Sequence, residues 1–367
     1  MANPPYRVLQ VVAKMNRGGT ETMLMNHYRA LDRTQVQFDF LVHYPDKGDY
    51  DDEIKSLGGR IFHAPAIRPW TYPVYFAWLD KFFKEHASEY CAVHGHIQEN
   101  TGFALRYAKK YGIENRLSSS HIATSRLDYK YIFRLYAQIY LNKNVTTRLA
   151  CGVDAGRHLY GRKNFTVFKN AVSTEKFIYN PDIRKKKRDE LGIDENTFLI
   201  GNVGRFCPQK NHSFIIRLFA DYAKTNPDAR LALAGTGPLM QNMIELAGEL
   251  NISDKILFLG SRSDVNELLQ ALDLFFMPSL YEGLPVSVVE AQAADLPCLL
   301  ADTIDKQTDI SGNCSFLPIK APAEAWFQKF ETARLHKRRD RRQTIIEAGY
   351  DVANNLKVLL PLYGINA

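Results

Sequence analysis

Apolar and polar positions along this chain follow two periods that take turns. Short apolar runs bounded by Gly, Pro, Asn or Asp alternate with longer stretches in which apolar residues recur every three or four positions. The pattern predicts strands over residues 7–13, 37–42, 91–94, 116–120 and 145–151, with helices over 20–31, 74–86, 101–110 and 126–148. It pauses at residues 178–196, where Asn180-Pro181-Asp182 and the like-charge run Arg184-Lys185-Lys186-Lys187-Arg188 read as a linker. It then restarts with strands over 198–203, 230–234, 256–259, 274–277 and 297–301, and helices over 212–222, 239–250 and 265–272. Strand alternating with helix means a parallel sheet with crossover helices. The expectation is an α/β protein of two tandem αβα domains, 1–177 and 197–349, joined by 178–196 and closed by a segment 350–367. In such sheets ligands bind beyond the carboxyl ends of the strands, which places the expected active site in a cleft between the domains.

Composition narrows the class. The chain has 367 residues, 46% of them apolar, enough for two cores. Met1-Ala2-Asn3-Pro4-Pro5 lacks the apolar stretch of a signal peptide, and no apolar run approaches the roughly 20 residues that span a bilayer. Five scattered cysteines, an odd number without a C-x-x-C pair, read as reduced thiols of a cytoplasmic protein. The net charge of +7 is uneven: residues 103–170 hold thirteen Lys and Arg against three acids, and the rest of the chain is net acidic. Within that region, 126–148 interleaves Arg126, Lys130, Arg134, Lys143 and Arg148 with Tyr129, Tyr131, Phe133, Tyr136 and Tyr140. Such a helix can lie on an anionic membrane surface or be a solvated basic face. No nucleic-acid-binding module accompanies it, so nucleic acid is not expected as a partner.

The chemistry concentrates at Tyr281-Glu282-Gly283-Leu284-Pro285-Val286-Ser287-Val288-Val289-Glu290. Pro285 suits the first turn of a helix, which puts Glu282 outside the helix N-terminus and Glu290 within the helix. A helix N-terminus beside a Gly offers backbone N–H groups and a positive dipole end to an anion. Carboxylates accept hydrogen bonds from hydroxyls. An anion site flanked by hydroxyl acceptors fits a nucleotide-sugar.

Other constellations belong to the same class. Gly204-Arg205 to Lys210-Asn211 leaves the first strand of the second domain ahead of a helix, and Arg with Lys binds phosphate. Arg17-Gly18-Gly19-Thr20-Glu21 follows the first strand of the chain; adjacent glycines let backbone approach a phosphate, and the absence of G-x-G-x-x-G weakens a dinucleotide reading. Gly235-Thr236-Gly237-Pro238 ends a strand in a tight turn open to close ligand approach. His94-Gly95-His96 and Ser118-Ser119-Ser120-His121 end first-domain strands; no carboxylate or Cys completes a metal set, and His121 is the better candidate for substrate contact. Asp49-Tyr50-Asp51, among Asp46, Asp52 and Glu53, reads as a solvated loop.

Together these motifs resemble a retaining glycosyltransferase of the two-Rossmann-domain (GT-B) type, family 4, and most of all the bacterial exopolysaccharide and capsule transferases. The likeness covers nearly the whole chain: the glycine loop at 15–21, the histidine segment at 118–121, Phe168-Lys169-Asn170-Ala171-Val172, the Arg205/Lys210 segment and the paired glutamates. Ala171 stands where the family usually has Gly, which concerns turn geometry alone.

The resemblance implies roles. Arg205 and Lys210 hold the donor diphosphate. Glu282 contacts the donor sugar with the N–H groups of Gly283 and Leu284, and Glu290 binds the ribose. Gly18 and Gly19 approach phosphate or acceptor, and His121 lies near the transferring sugar. Gly235 borders the donor, and the loop 259–262 with Arg262 meets the base. The last helix crosses back onto the first domain. Transfer of a hexose or N-acetylhexosamine with retention, from a UDP-sugar ahead of GDP-mannose, to a saccharide or lipid-linked oligosaccharide at the cytoplasmic face of the inner membrane is implied, without metal or cofactor. A sugar-nucleotide epimerase, a phosphorylase or a non-catalytic nucleotide-sugar-binding protein shares the architecture.

Overall fold

The computed structural model describes residues 5–121 and 131–365. It divides into two compact units, Met1–Ala171 with Val352–Ala367, and Val172–Asp351. The expected helix over 126–148 is seen as Tyr131–Asn144; Arg126, Tyr129 and Lys130 lie outside the described residues.

The first unit holds β1 (Tyr6–Val11), β2 (Val36–Val42), β3 (Ile61–His63), β4 (Tyr90–Gly95), β5 (Asn115–Ser120), β6 (Thr147–Ala150) and β7 (Thr166–Val167). They form one parallel sheet in the order β3-β2-β1-β4-β5-β6-β7. The second unit holds β8 (Phe198–Val203), β9 (Ala229–Ala234), β10 (Ile256–Gly260), β11 (Leu274–Met277), β12 (Cys298–Ala301) and β13 (Cys314–Leu317), parallel in the order β10-β9-β8-β11-β12-β13. Both orders run outward from the first strand and then reverse, which is the doubly wound nucleotide-binding arrangement. The reversal falls between β1 and β4 in one sheet and between β8 and β11 in the other.

Side chains of a strand point alternately to its two faces, and here both faces are apolar. Leu199, Phe275, Met277 and Leu300 enter one core of the second unit. Their neighbours Phe198, Ile200, Leu274, Phe276 and Leu299 enter another on the opposite face. β1 divides its residues likewise, Val8 to one core and Leu9 and Val11 to the other. Continuous apolar runs are the mark of strands covered on both sides by helices. The three strands that the apolar pattern does not announce, β3, β7 and β13, are short, lie at sheet edges and are only partly covered.

The expected linker 178–196 is instead part of the second unit. The Asn180 side chain accepts from the N–H groups of Asp182 and Ile183 and caps a helix, Pro181–Glu190, with Pro181 in its first turn. Three of the five cations in the like-charge run are not solvated, while Lys185 and Lys186 are exposed. Arg184 donates to the carbonyls of Gln270, Ala271 and Leu272, and pairs with Asp273 at 2.6 Å. Arg188, 1% exposed, donates to the carbonyls of Ala271, Asp194 and Thr197, and to Asp273. Lys187 meets Glu190, Asp264 and Glu267 within 3.0 Å. The cations thus satisfy the free carbonyls and the negative dipole end of the helix Val265–Ala271. The chain passes between units at Ala171/Val172 and Asp351/Val352, where Val172 and Asp351 form a parallel bridge.

The closing segment belongs to the first unit. The helix Val352–Leu362 packs on the helix Gly19–Ala30, and Tyr363 is wholly buried. Among the described residues no helix is long and apolar enough to cross a membrane.

Arg188→Met should destabilise the protein by about 3 kcal/mol, because it leaves Asp273 and three carbonyls short of a buried donor. Urea denaturation reads this directly; an unchanged midpoint would restore the linker reading.

Candidate active site

In the second unit every expected donor-side residue follows the carboxyl end of a strand. Arg205 and Lys210 follow β8, and Glu282, Gly283 and Leu284 follow β11. These are the two strands between which the sheet order reverses. Crossovers leave such a pair toward opposite faces, and the crevice between them is where doubly wound sheets bind ligands. Short contacts hold the two loops together. The Leu280 N–H donates to Gln209 O at 2.8 Å, Gln209 Nε2 to Tyr281 O at 2.9 Å, and Asn211 Nδ2 to Pro278 O at 3.2 Å. Asn211 can make its contact because it takes a left-handed conformation, φ +56°, that Asn tolerates better than most residues. Lys210 Nζ then lies 2.7 Å from Glu282 Oε1, with both side chains largely buried.

Arg205 differs. It is exposed and has no hydrogen-bond or ion-pair partner among the described residues. The next residue, Phe206, is buried, stacks on His212 at 4.1 Å and donates its N–H to Thr236 O, so Arg205 is carried on a fixed backbone. Gly235 permits the same closeness: at φ +141° it brings its backbone against Gly204, and a Cβ there would stand 2.0 Å from Gly204 O. Glu290 is buried in the helix Val286–Ala293, with Pro285 at the cap position one residue ahead of the first turn. Gly283 is exposed, and Leu284 packs on the core. Arg262 does not stand free beside the others: its guanidinium is held by Asp264 at 2.7 Å and Glu190 at 3.1 Å.

In the first unit the glycine loop follows β1 and His121 follows β5. Gly18 caps the helix Gly19–Ala30, and Glu21 of its first turn folds back so far that a Cβ on Gly18 would stand 2.4 Å from the carboxyl. Burial outweighs the hydrogen bond from its own backbone and pushes the Glu21 pKa up to about 7. A loop carrying a carboxyl suits hydroxyls better than phosphates. The segment read as a solvated loop is in fact a support for it. Tyr50 and Asp51 are buried; Tyr50 donates its N–H to Met15 O and its hydroxyl lies 2.9 Å from Thr22 Oγ1, while Asp49 accepts from the Arg17 N–H. His121 Nε2 lies 3.0 Å from His96 Nδ1, and burial lowers the His121 pKa to about 4. Among the described residues no group of three or more His, Cys, Asp or Glu is placed to hold a metal ion.

Comparison with known proteins decides the family. The model of the glycosyl transferases group 1 matches residues 183–350. EpsF of Bacillus subtilis, named as a glycosyltransferase, is 37% identical over 378 aligned residues, which cover 100% of this chain and 98% of EpsF. The chain belongs to the glycosyl transferases of group 1. This glycosyltransferase is also 30% identical, over 58% of each chain, to the UDP-Gal:alpha-D-GlcNAc-diphosphoundecaprenol alpha-1,3-galactosyltransferase of Escherichia coli. The crystal structure of Anabaena HepE in complex with UDP and glucose superposes with a TM-score of 0.76 over 98% of the glycosyltransferase and 99% of HepE, at 19% identity. The two Rossmann-like halves are those of the GT-B architecture.

Sequence reasoning missed Tyr50, Gln10 and Tyr363 as parts of the site's support. Gln10 is a polar residue within an otherwise apolar strand, the kind of position that signals a buried hydrogen-bond network.

The raised Glu21 pKa makes a prediction with a definite sign. Between the ordinary carboxyl value and about 7 the folded state keeps a proton that the unfolded chain releases, so this residue's contribution to stability is present in acid and lost as pH rises. Glu21→Gln should therefore gain thermal stability over the parent as pH rises from about 5 to about 8. A melting-temperature difference that is flat with pH would contradict the assignment.

Proposed function

We propose that this glycosyltransferase moves a hexose or N-acetylhexosamine from a UDP-sugar to a saccharide acceptor, with retention at the anomeric carbon and without a metal. The observation that carries the reading is the Lys210–Glu282 pair at 2.7 Å, drawn across the point of strand reversal on the same loop as Arg205, which has no partner among the described residues. A departing nucleoside diphosphate gains negative charge as the glycosidic bond breaks. Fixed cations where that charge develops stabilise the transition state, because they need no reorganisation. Arg205 and Lys210 are such cations, and they take the part that a divalent metal plays elsewhere. Glu282, adjacent to Lys210, accepts hydroxyls of the sugar, and the buried Glu290 accepts those of the ribose.

Neither glutamate is needed as acid or base. In a front-face transfer the acceptor hydroxyl approaches the anomeric carbon from the side that the diphosphate leaves. A leaving phosphate oxygen takes the hydroxyl proton, the new C–O bond forms as the old one breaks, and configuration is kept. The protein supplies position and charge, unlike a glycosidase, whose two carboxylates flank the bond. The HepE complex with UDP and glucose and the UDP-Gal donor of the Escherichia coli relative support UDP; the diphosphoundecaprenol acceptor in that relative's name supports a lipid-linked saccharide and a place in polysaccharide biosynthesis.

A lipid-linked acceptor draws the enzyme to a membrane surface, and the first unit has a face for it. The helix Tyr131–Asn144 exposes Tyr131, Ile132 (72%), Leu135 and Ile139, with Trp70 (69%) and Val74 exposed on the neighbouring segment that packs on it through Tyr72. Lys143 lies on the helix, and Arg106, Lys109 and Lys110 lie exposed on the helix packed against it. Apolar side chains with cations on the same and the adjoining helix suit anionic lipid, although Lys110 is paired with Asp80.

Arg205→Ala and Lys210→Ala should each lower kcat on the order of 10²-fold, and Glu290→Ala should mainly weaken nucleotide binding. Isothermal titration with UDP tests the second; normal donor binding by Glu290→Ala would remove the ribose assignment. Proton NMR of the first-formed product reads the anomeric configuration. For the membrane face, Ile132→Asp with Ile139→Asp should reduce sedimentation with phosphatidylglycerol vesicles while leaving circular dichroism unchanged. Equal binding by parent and variant would sink that part of the reading.

A further inference from the structure

The donor-side residues of the second unit follow the carboxyl ends of its parallel strands. At the amino ends, where Phe198 begins β8 and where Asp273 and Pro297 lead into β11 and β12, lies a cavity of about 440 Å³. Cations outnumber carboxylates in its wall: Arg184, Arg334, Lys337 and Arg338 stand against Asp273 and Glu195. The proposed transfer uses none of them.

The carboxylates of this region are already engaged with other groups. Asp273 is shared by Arg184 at 2.6 Å and Arg188 at 3.2 Å. Asp228 pairs with Arg334 at 2.8 Å, and Asp295 with His336 at 3.2 Å. Glu195 is exposed and bonds to none of these cations among the described residues. Arg338 has no carboxylate partner among the described residues. It donates instead to the carbonyls of Gln270 at 3.1 Å, Leu269 at 3.0 Å and Leu272.

Gln270 O and Leu272 O also accept from Arg184, so two guanidinium groups share two acceptors and lie side by side as like charges. Arg188 donates to Ala271 O between them. Three guanidinium groups thus close on one helix end with one carboxylate, and the helix end adds only about half a negative charge. More than one positive charge is left without a counter-charge, and buried charge is costly unless it is paired. Burial, and then the charge of Arg184, push the Arg338 pKa down to about 9, as expected of a cation short of counter-charge. The carbonyls use three of the five N–H donors of the Arg338 guanidinium, which leaves two on a residue that lines the cavity. The Tyr179 ring, 5.0 Å from the Arg338 guanidinium carbon, fixes its orientation. Lys337, next in the wall, is exposed and has no partner among the described residues.

We propose that this cavity is a second anion site, separate from the donor crevice, in which Arg338 and Lys337 hold a phosphate group. A guanidinium with free N–H groups meets a phosphate through directed bonds, and a lysine adds a compact charge. The phosphate supplies the counter-charge that the protein does not. Free phosphate and the phosphate of a sugar ester share this chemistry.

The test uses the full-length protein carrying Arg205→Ala and Lys210→Ala, which removes the donor-side cations, so the outcome does not depend on the donor reading. Calorimetric titration at constant ionic strength, with inorganic phosphate and separately with glucose 1-phosphate, should show one site. Adding the exposed substitution Lys337→Glu should weaken binding about tenfold, the change expected when a unit charge beside a bound anion reverses sign. Arg338→Gln should weaken it at least as much; should that variant fail to fold, Lys337→Glu carries the comparison. Tighter binding of phosphate identifies the free anion, and tighter binding of the ester identifies a phosphorylated sugar; either result sustains the site. Absence of binding by both anions, or an affinity unmoved by Lys337→Glu, overturns the proposal. Binding present in the parent and lost with Arg205 and Lys210 belongs to the donor crevice and overturns it as well.

Discussion

Two parallel sheets each reverse their strand order at the first strand, and the placement of chemistry in this protein follows from that. At a reversal, two neighbouring strands send their connections to opposite faces, and the backbone at their carboxyl ends is left open instead of being covered by a helix. In the second unit the loops after β8 and β11 meet there. Their backbone contacts, Leu280 to Gln209 and Asn211 to Pro278, bring a cation and a carboxylate to within 2.7 Å. In the first unit the same place, beside β1 and β4, holds Gln10, His94 and His96.

The two crevices meet opposite demands. Around Arg205 and Lys210 the surroundings are arranged for an anion: one cation is exposed on an anchored backbone, and the other is held by a carboxylate that a sugar hydroxyl can engage. His121 and Glu21 are themselves buried titratable groups. Burial keeps both groups close to neutrality, which suits an uncharged polyhydroxylated ligand.

Much of this is legible in the sequence because it depends on local signals. Gly283-Leu284-Pro285 announces a helix start after a strand, and Arg205 with Lys210 sits at a strand end, so the residues themselves declare their setting. What is not legible depends on partners distant in sequence. Arg184 and Arg188 look like solvated charge until the carbonyls of 270–272 come to meet them. Tyr50 reads as loop because its acidic neighbours are polar, whereas its contacts are with Met15 and Thr22, on either side of the glycine loop. Arg262 reads as a free cation after a strand, but Glu190, 72 residues earlier, shares its charge with the nearby Asp264. The edge strands β3, β7 and β13 are too short and too thinly covered to leave a period.

Tyr363 is far along the chain from Gln10, and the two are hydrogen-bonded in one core. The first unit to leave the ribosome is therefore the last to be finished. Its seven strands can pair as soon as they are made, but the hydroxyl between Gln10 and His94 arrives only after the whole second unit has been synthesised. Until then the nascent unit carries an unfilled polar centre and the bare flank of the helix Gly19–Ala30 against which Val352–Leu362 will lie. Completion of the first unit is thus tied to synthesis of the unit that follows it, and a prematurely terminated chain would lack the hydroxyl that joins Gln10 to His94 in the centre of its sheet.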